Sequence, residues 1–220
     1  YYLTVMNENY EHPEMPQGVE EGIKRGMYQL EKDDKATVQL MGSGVILREV
    51  IKAAKILRDE YQIHSNVWSV TSFNELAREG MAVEEYNRLH PLEDGKEAWV
   101  SQQLRGTDGI VVSATDHMRA YSEQIRAYLP DSRPFVALGT DGYGRSDTRG
   151  NLRSYFGVDA AHIVVATLKK LADEGEVDAR LVKDAISSFE LDVDRPVAWL
   201  PQAYPTTQDV APYAEPTEEK

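Results

Sequence analysis

Thr37-Val38-Gln39-Leu40-Met41-Gly42-Ser43-Gly44, running into Val45 to Tyr61, is the stretch that decides the fold. The first five residues are strand-like, Gly42-Ser43-Gly44 turns, and Ile46, Val50, Ala53, Ala54 and Leu57 recur at helical spacing, so the unit is β-turn-α. The same grammar repeats downstream. Asn66 to Val70 is a second strand of this kind, and Ser72 with Glu75 three residues on forms a capping box for a helix running towards Arg78. Gly109 to Ala114 is a third, followed by an amphipathic helix from Asp116 to Leu129 with Met118, Tyr121, Ile125 and Tyr128 on one side, ended by Pro130. Pro134 to Leu138 is a fourth. Strands alternating with helices predict a parallel sheet in an α/β protein. Between Gly80 and Gly106 the crossover is elaborated: Val83, Tyr86 and Leu89 share a helical face, Pro91 stops it, and Trp99 to Leu104 is another short helix.

Outward from that centre the signals weaken. Ala161 to Glu174 and Val177 to Phe189 read as two consecutive helices joined at Gly175-Glu176, an αα-hairpin. Upstream, Val19 to Arg25 makes a helical turn or two ended by Gly26, and Met27 to Glu31 is a weak strand. Tyr1 to Met6 has strand content but is cut off from whatever preceded it, as in a chain entered midway. Asn7 to Pro16 is a loop or linker, and from Asp192 onward Pro196, Pro201, Pro205, Pro212 and Pro216 punctuate an acidic tail. The expected division is 1–16, 17–194 and 195–220.

Composition excludes several classes. The 220 residues, 41% hydrophobic and 28% charged, suit one core plus extensions. With 24 Lys and Arg against 37 Asp and Glu, the net charge is −13, so nucleic acid and anionic membranes are poor partners. Cysteine is absent, which removes disulfides, thiolate metal sites and cysteine nucleophiles. No apolar run reaches membrane-spanning length, and cytoplasm is the simplest address.

The run Gly139 to Ala160, G-T-D-G-Y-G-R-S-D-T-R-G-N-L-R-S-Y-F-G-V-D-A, follows the fourth strand with five glycines and the charged residues Asp141, Arg145, Asp147, Arg149 and Arg153. Ser146 or Asp147 can cap a short helix carrying Leu152, Tyr155 and Phe156; Gly157 sits where a left-handed C-cap belongs, and Asp159 caps the next helix. Two readings stand. The loop charges hold the loop's own shape, or a loop at the carboxyl end of a parallel strand faces a partner or a site. The candidate interface residues are Asp141, Gly142, Tyr143, Gly144, Arg145 and Asp147.

No catalytic set assembles on these residues. Gly42-Ser43-Gly44 lacks the third glycine of a dinucleotide fingerprint, since Leu47 stands there, and the second strand ends in Thr71 and Ser72 rather than an acid. Gly144-Arg145-Ser146-Asp147-Thr148 breaks the serine-hydrolase elbow at its last position. His12, His64, His90 and His162 fall in loops or at a helix start. His117, directly after a core strand, either points to solvent beside a cap made by Thr115 or Asp116 or presents a reactive group.

Several motifs in order resemble one family: Tyr2-Leu3-Thr4, Asn7-Glu8-Asn9-Tyr10, the G-S-G turn, S-V-T-S-F after the second strand, Leu89-His90-Pro91-Leu92-Glu93, S-A-T-D, G-T-D-G-Y-G-R-S-D and Asn151-Leu152-Arg153. They are similar to the C-terminal, transketolase-like domain of the homodimeric type of pyruvate dehydrogenase component. The match runs from Tyr1 to about Asp194. The resemblance implies a three-layer α/β/α fold on a mixed, mostly parallel five-stranded sheet whose first strand, around Met27 to Leu30, is antiparallel to the rest.

It further implies a parent enzyme that decarboxylates pyruvate with thiamine diphosphate and magnesium. The acetyl group passes to the lipoyl arm of an acyltransferase partner. The groups that hold diphosphate and metal belong to preceding domains in that family; Thr107-Asp108-Gly109 and Thr140-Asp141-Gly142 are only superficially similar to them. No catalytic, cofactor or metal residue is therefore expected here, and the chain alone is expected to be inactive, bracing the dimer and the cofactor domains. The alternatives are a stand-alone interaction module and, more weakly supported, a nucleotide-binding α/β protein.

Overall fold

The computed structural model describes residues 9–195 and 197–200. The strand expected at Tyr1 to Met6 and most of the acidic tail lie outside the described residues. Helix α1 (Glu20–Arg25) ends at Gly26, whose φ of 107° is a left-handed cap, and strand β1 (Met27–Glu31) starts at once. A side chain at Gly26 would meet the Ser72 carbonyl at 2.7 Å, while its own carbonyl accepts from Thr71 N at 2.9 Å. That close approach needs glycine.

Strand β2 (Val38–Ser43) continues through Gly42 and Ser43, which the sequence reading assigned to a turn, because they pair with β3 (Ser65–Val70) on one side and Gly42 with β4 (Ile110–Ala114) on the other. One 3-10 turn at Gly44–Ile46 then leads into α2 (Leu47–Tyr61). Helix α3 (Phe73–Leu89) does not stop near Arg78 but runs unbroken through Gly80. Ser72 caps it by accepting from Glu75 N at 3.1 Å. Helix α4 (Trp99–Leu104) completes the crossover.

The helix expected over Asp116 to Leu129 is broken into α5 (Arg119–Glu123) and a 3-10 turn at Arg126–Tyr128. Its first residues are already committed elsewhere: the His117 carbonyl accepts from Thr140 N at 2.9 Å, and Arg119 N donates to Asp141 at 3.3 Å. Only Ile125 of the expected face is fully buried, whereas Met118 and Tyr121 are exposed. Strand β5 (Phe135–Leu138), α6 (Arg149–Phe156), α7 (Ala160–Asp173) and α8 (Ala179–Ser188) follow as the sequence suggests.

The five strands lie in the order β1-β3-β2-β4-β5, with β1 antiparallel to β3 and all other pairs parallel. Alternating side chains feed two cores. Val38, Leu40, Val67, Val112 and Ala114 pack beneath α2 and α7, while Met41, Trp68, Val70, Val111 and Phe135 pack beneath α3 and α4. Helices therefore cover both faces, which is the expected three-layer architecture with its antiparallel first strand. No helix among the described residues is long and apolar enough to cross a membrane.

Two buried polar groups hold the layers in register. Gln39, fully buried on β2, accepts from Asn66 Nδ2 at 3.0 Å and Trp68 Nε1 at 2.9 Å and donates to the Asp108 carbonyl at 3.0 Å. Glu49 on α2 is 5% exposed and accepts from Arg153 Nη1 at 3.2 Å, Lys52 Nζ at 3.0 Å and the first amide of α7, Ala160 N, at 3.2 Å. A buried carboxylate is tolerated only when it is paired and hydrogen-bonded in this way.

Candidate functional site: the carboxyl edge of the sheet

The chain leaves β2 towards one face and β4 towards the other, so a crevice opens between their carboxyl ends, where α/β sheets place ligands and partners. Hydroxyls line it. Ser43 Oγ donates to Thr115 Oγ1 at 2.7 Å, and Thr115 Oγ1 also accepts from His117 N at 3.2 Å. Ser43, Thr71, Ser72, Asn74, Asp116 and His117 surround a cavity of about 340 Å³. The His117 ring meets Tyr121 edge-on at 5.6 Å. Its backbone amide thus uses the Thr115 hydroxyl in a local turn and not in the helix cap expected of Thr115 or Asp116, since α5 starts behind Met118 without a side-chain cap; His117 itself is exposed, as the solvent-facing alternative has it.

The loop after β5 divides the candidate interface residues into three groups. Asp141 turns inward and pairs with Arg119 Nε at 2.8 Å. Gly142, at φ 105°, lies against the backbone of Ala198 and Trp199, where any side chain would overlap the Ala198 carbonyl. Arg119 in turn lies under the Trp199 ring at 4.4 Å. Asp147 builds the next helix: its Oδ1 accepts from Thr148 N at 2.6 Å and Asn151 Nδ2 at 2.8 Å. The cap of α6 is Thr148, not Ser146 or Asp147, and accepts from Asn151 N at 3.3 Å.

Tyr143, Gly144 and Arg145 form the third group and face outward. Tyr143 is 88% exposed, and Arg145 places its guanidinium 5.5 Å over the Tyr155 ring. The loop's acids hold its shape, while its crown presents an aromatic ring and a cation to the outside.

The N-terminal segment reaches the same edge, which the sequence reading missed. Arg48 stacks over Tyr10 at 4.8 Å and donates to the Glu11 carbonyl at 2.9 Å, and Arg153 Nη2 donates to the Tyr10 hydroxyl at 3.3 Å. Tyr10 stood out only as part of Asn7-Glu8-Asn9-Tyr10, without a role; its partners lie far away in sequence.

Among the described residues no three His, Asp or Glu side chains converge to hold a metal ion. Of the carboxylates at this edge, Asp141, Asp147 and Glu49 are committed to Arg119, to Thr148 N with Asn151, and to Arg153, which leaves Asp116 as a single acid lining the crevice. These residues do not fit a magnesium diphosphate.

A model of the transketolase-like TK C-terminal domain matches residues 26–159. The chain belongs to that family. The chain is also 52% identical over 198 residues to the pyruvate dehydrogenase E1 component of Pseudomonas aeruginosa, covering 89% of this chain and 22% of that protein. The corresponding protein of Escherichia coli K12 is 50% identical over 197 residues, with the same 89% and 22% coverage. The chain thus spans 22% of the length of these relatives. Among solved structures, the transketolase from Leishmania mexicana aligns with 70% of this chain and 19% of its own at 19% identity and a TM-score of 0.47.

Proposed function

We propose that this chain is the C-terminal domain of a pyruvate dehydrogenase E1 component and that its work there is mechanical support rather than catalysis. The observation that carries this reading is the identity of about half the aligned residues to such proteins along 89% of the chain. Residues 17–194 are the domain, 1–16 the end of a preceding cofactor domain with its linker, and 195–220 a tail. The parent enzyme decarboxylates pyruvate with thiamine diphosphate and magnesium and passes the acetyl group to a lipoyl-bearing acyltransferase, acting as a homodimer in the cytoplasm. The described residues of this domain do not fit that cofactor, so they take no step through it.

Support for a bracing role comes from the carboxyl edge. Tyr143 and Arg145 project from a loop held at Asp141 and Asp147, and an exposed aromatic beside an arginine is typical of interface anchors. The segment leading in from the linker is pinned to the same edge through Tyr10.

The test combines this chain with a polypeptide carrying the missing cofactor domains and follows decarboxylation of pyruvate. Activity should appear only in the mixture. Arg145→Ala should weaken association about tenfold while leaving the melting temperature unchanged. A mixture whose activity does not depend on this chain, or a variant that loses stability with unchanged association, would overturn the assignment.

A further inference from the structure

A second surface lies at the opposite edge of the sheet, where β2, β4 and β5 begin. A groove of about 560 Å³ opens there, larger than the crevice of about 340 Å³ at the carboxyl edge. Ile63, Ile110, Pro134, Leu171 and Val177 make its apolar floor, and Asp108, Asp131, Glu174 and Glu176 its rim. Helices α2 and α7 both end on it, through Gln62 and Glu174, so two sets of terminal carbonyls add negative potential.

The positive charge there offsets only part of this, since four carboxylates on the rim face Arg133 and Lys170. Arg133, the one cation lining the groove among the described residues, donates Nη1 and Nη2 to the Thr107 hydroxyl and carbonyl at 2.8 and 2.6 Å and keeps its charge, which acts on Asp108 and Asp131. Lys170 pairs with Glu174 at 2.6 Å. Arg133 offsets part of the charge of Asp108 and Asp131, whereas Glu176 is held in no ion pair among the described residues. The rim is also fixed in place: Asp131 is left-handed at φ 55°, and Gly109 at φ 80° passes so close to the Thr37 carbonyl that no side chain fits.

We propose that this groove docks a basic peptide segment of a partner protein, with a lysine or arginine seated among Asp108, Asp131 and Glu176 and a flanking aliphatic side chain covering Ile63, Leu171 and Val177. Charge complementarity selects the occupant. Exposed carboxylates hold a free amine only weakly, and a small amine would leave the floor wet. A peptide that carries both features satisfies rim and floor together, and the net charge of −13 steers it inward.

The probe is the acetylated, amidated heptapeptide Ala-Leu-Lys-Val-Arg-Leu-Ala, titrated into the 220-residue chain by calorimetry and by amide chemical shifts. Saturable one-to-one binding is expected, with shifts at Ile63, Gly109 and Val177. Asp108→Lys with Glu176→Lys should weaken it at least about tenfold, and Val177→Ser about threefold. Charge reversal on the outer face of α3, Glu84→Lys with Glu85→Lys, should leave it unchanged.

The proposal is overturned if an analogue with norleucine in place of lysine and arginine binds equally well, if butylamine alone produces the same shifts, or if the α3 reversal weakens binding as much as the groove reversal. Shifts confined to another face, or no saturable binding, overturn it as well. None of these outcomes bears on the role of the carboxyl edge, so the two readings fail separately.

Discussion

Glu49 and Arg153 are 104 positions apart in sequence and 3.2 Å apart in space, joined through Oε1 and Nη1. The pair ties α2 to α6, and the second Glu49 oxygen ties both to the start of α7 through Ala160 N. Truncation to Glu49→Ala would leave a largely buried guanidinium and a helix amide without their acceptor. The expected loss is about 3 kcal/mol in urea unfolding, with Glu49→Gln losing less because it keeps an acceptor oxygen. A Glu49→Ala protein as stable as its parent would show that water replaces the carboxylate.

Tyr10 should matter for the linker and hardly at all for the core. Its contacts to Arg48 and Arg153 are worth about 1 kcal/mol together. Tyr10→Ala is therefore expected to speed proteolytic cleavage between Asn9 and Pro16 several-fold while moving the melting temperature little. Unchanged cleavage would mean that the segment is held by something else.

Asp159 gives the fold an acid-sensitive point. Burial pushes its carboxyl up, but side-chain and backbone hydrogen bonds from His162, aided by the charges of His162 and Arg195, outweigh that and hold it below its usual 3.8. A carboxyl that binds its proton less readily when folded adds stability that is fully present above the unfolded value. That stability is lost as pH falls through the lower folded one. Asp159→Asn keeps a helix-capping oxygen but removes the charge, so the acid limb of a stability-pH curve below pH 3.8 should become shallower. An identical limb in the variant would place the acid sensitivity elsewhere.

Gly80 should resist the usual gain from alanine in a helix. A Cβ there would meet the Tyr128 ring at 2.5 Å. The overlap should cost about 1–3 kcal/mol, exceeding the roughly 1 kcal/mol that alanine contributes to helix propensity. In a double-mutant cycle, Tyr128→Ala should relieve much of that loss. Additive losses would mean that α3 shifts as a body instead.

The Gly80 contact also explains one limit of reading the chain unaided. A glycine amid Arg78, Glu79 and Met81 looks like a break, yet here it records an aromatic ring arriving from 48 residues downstream (Gly80 to Tyr128). The strands and the left-handed caps Gly26 and Gly157 were legible because alternation and terminal glycine are local properties. The break between Asp116 and Leu129 was not, since the amphipathic spacing of Met118, Tyr121 and Ile125 is real. What interrupts the helix is backbone bonding to the loop after β5.

The same holds for function. The loop from Gly139 announced itself through glycine and charge, and its outward crown at Tyr143 and Arg145 could be expected from that density. Its anchors could not. Arg119 and Trp199 carry no local mark, and Gln39 and Glu49 look like ordinary polar residues of a strand and a helix until burial gives them partners. Burial of a polar side chain is decided by what packs over it, which no window of neighbouring residues contains.

Helix α6 receives two distant segments on consecutive residues: Arg153 holds Tyr10, and the Ser154 carbonyl accepts from Arg195. Tension applied between residues 9 and 195 would therefore be borne first by this eight-residue clasp and only afterwards by the strands. In a single-molecule pulling trace, the domain should yield by unfastening at α6 before the sheet ruptures.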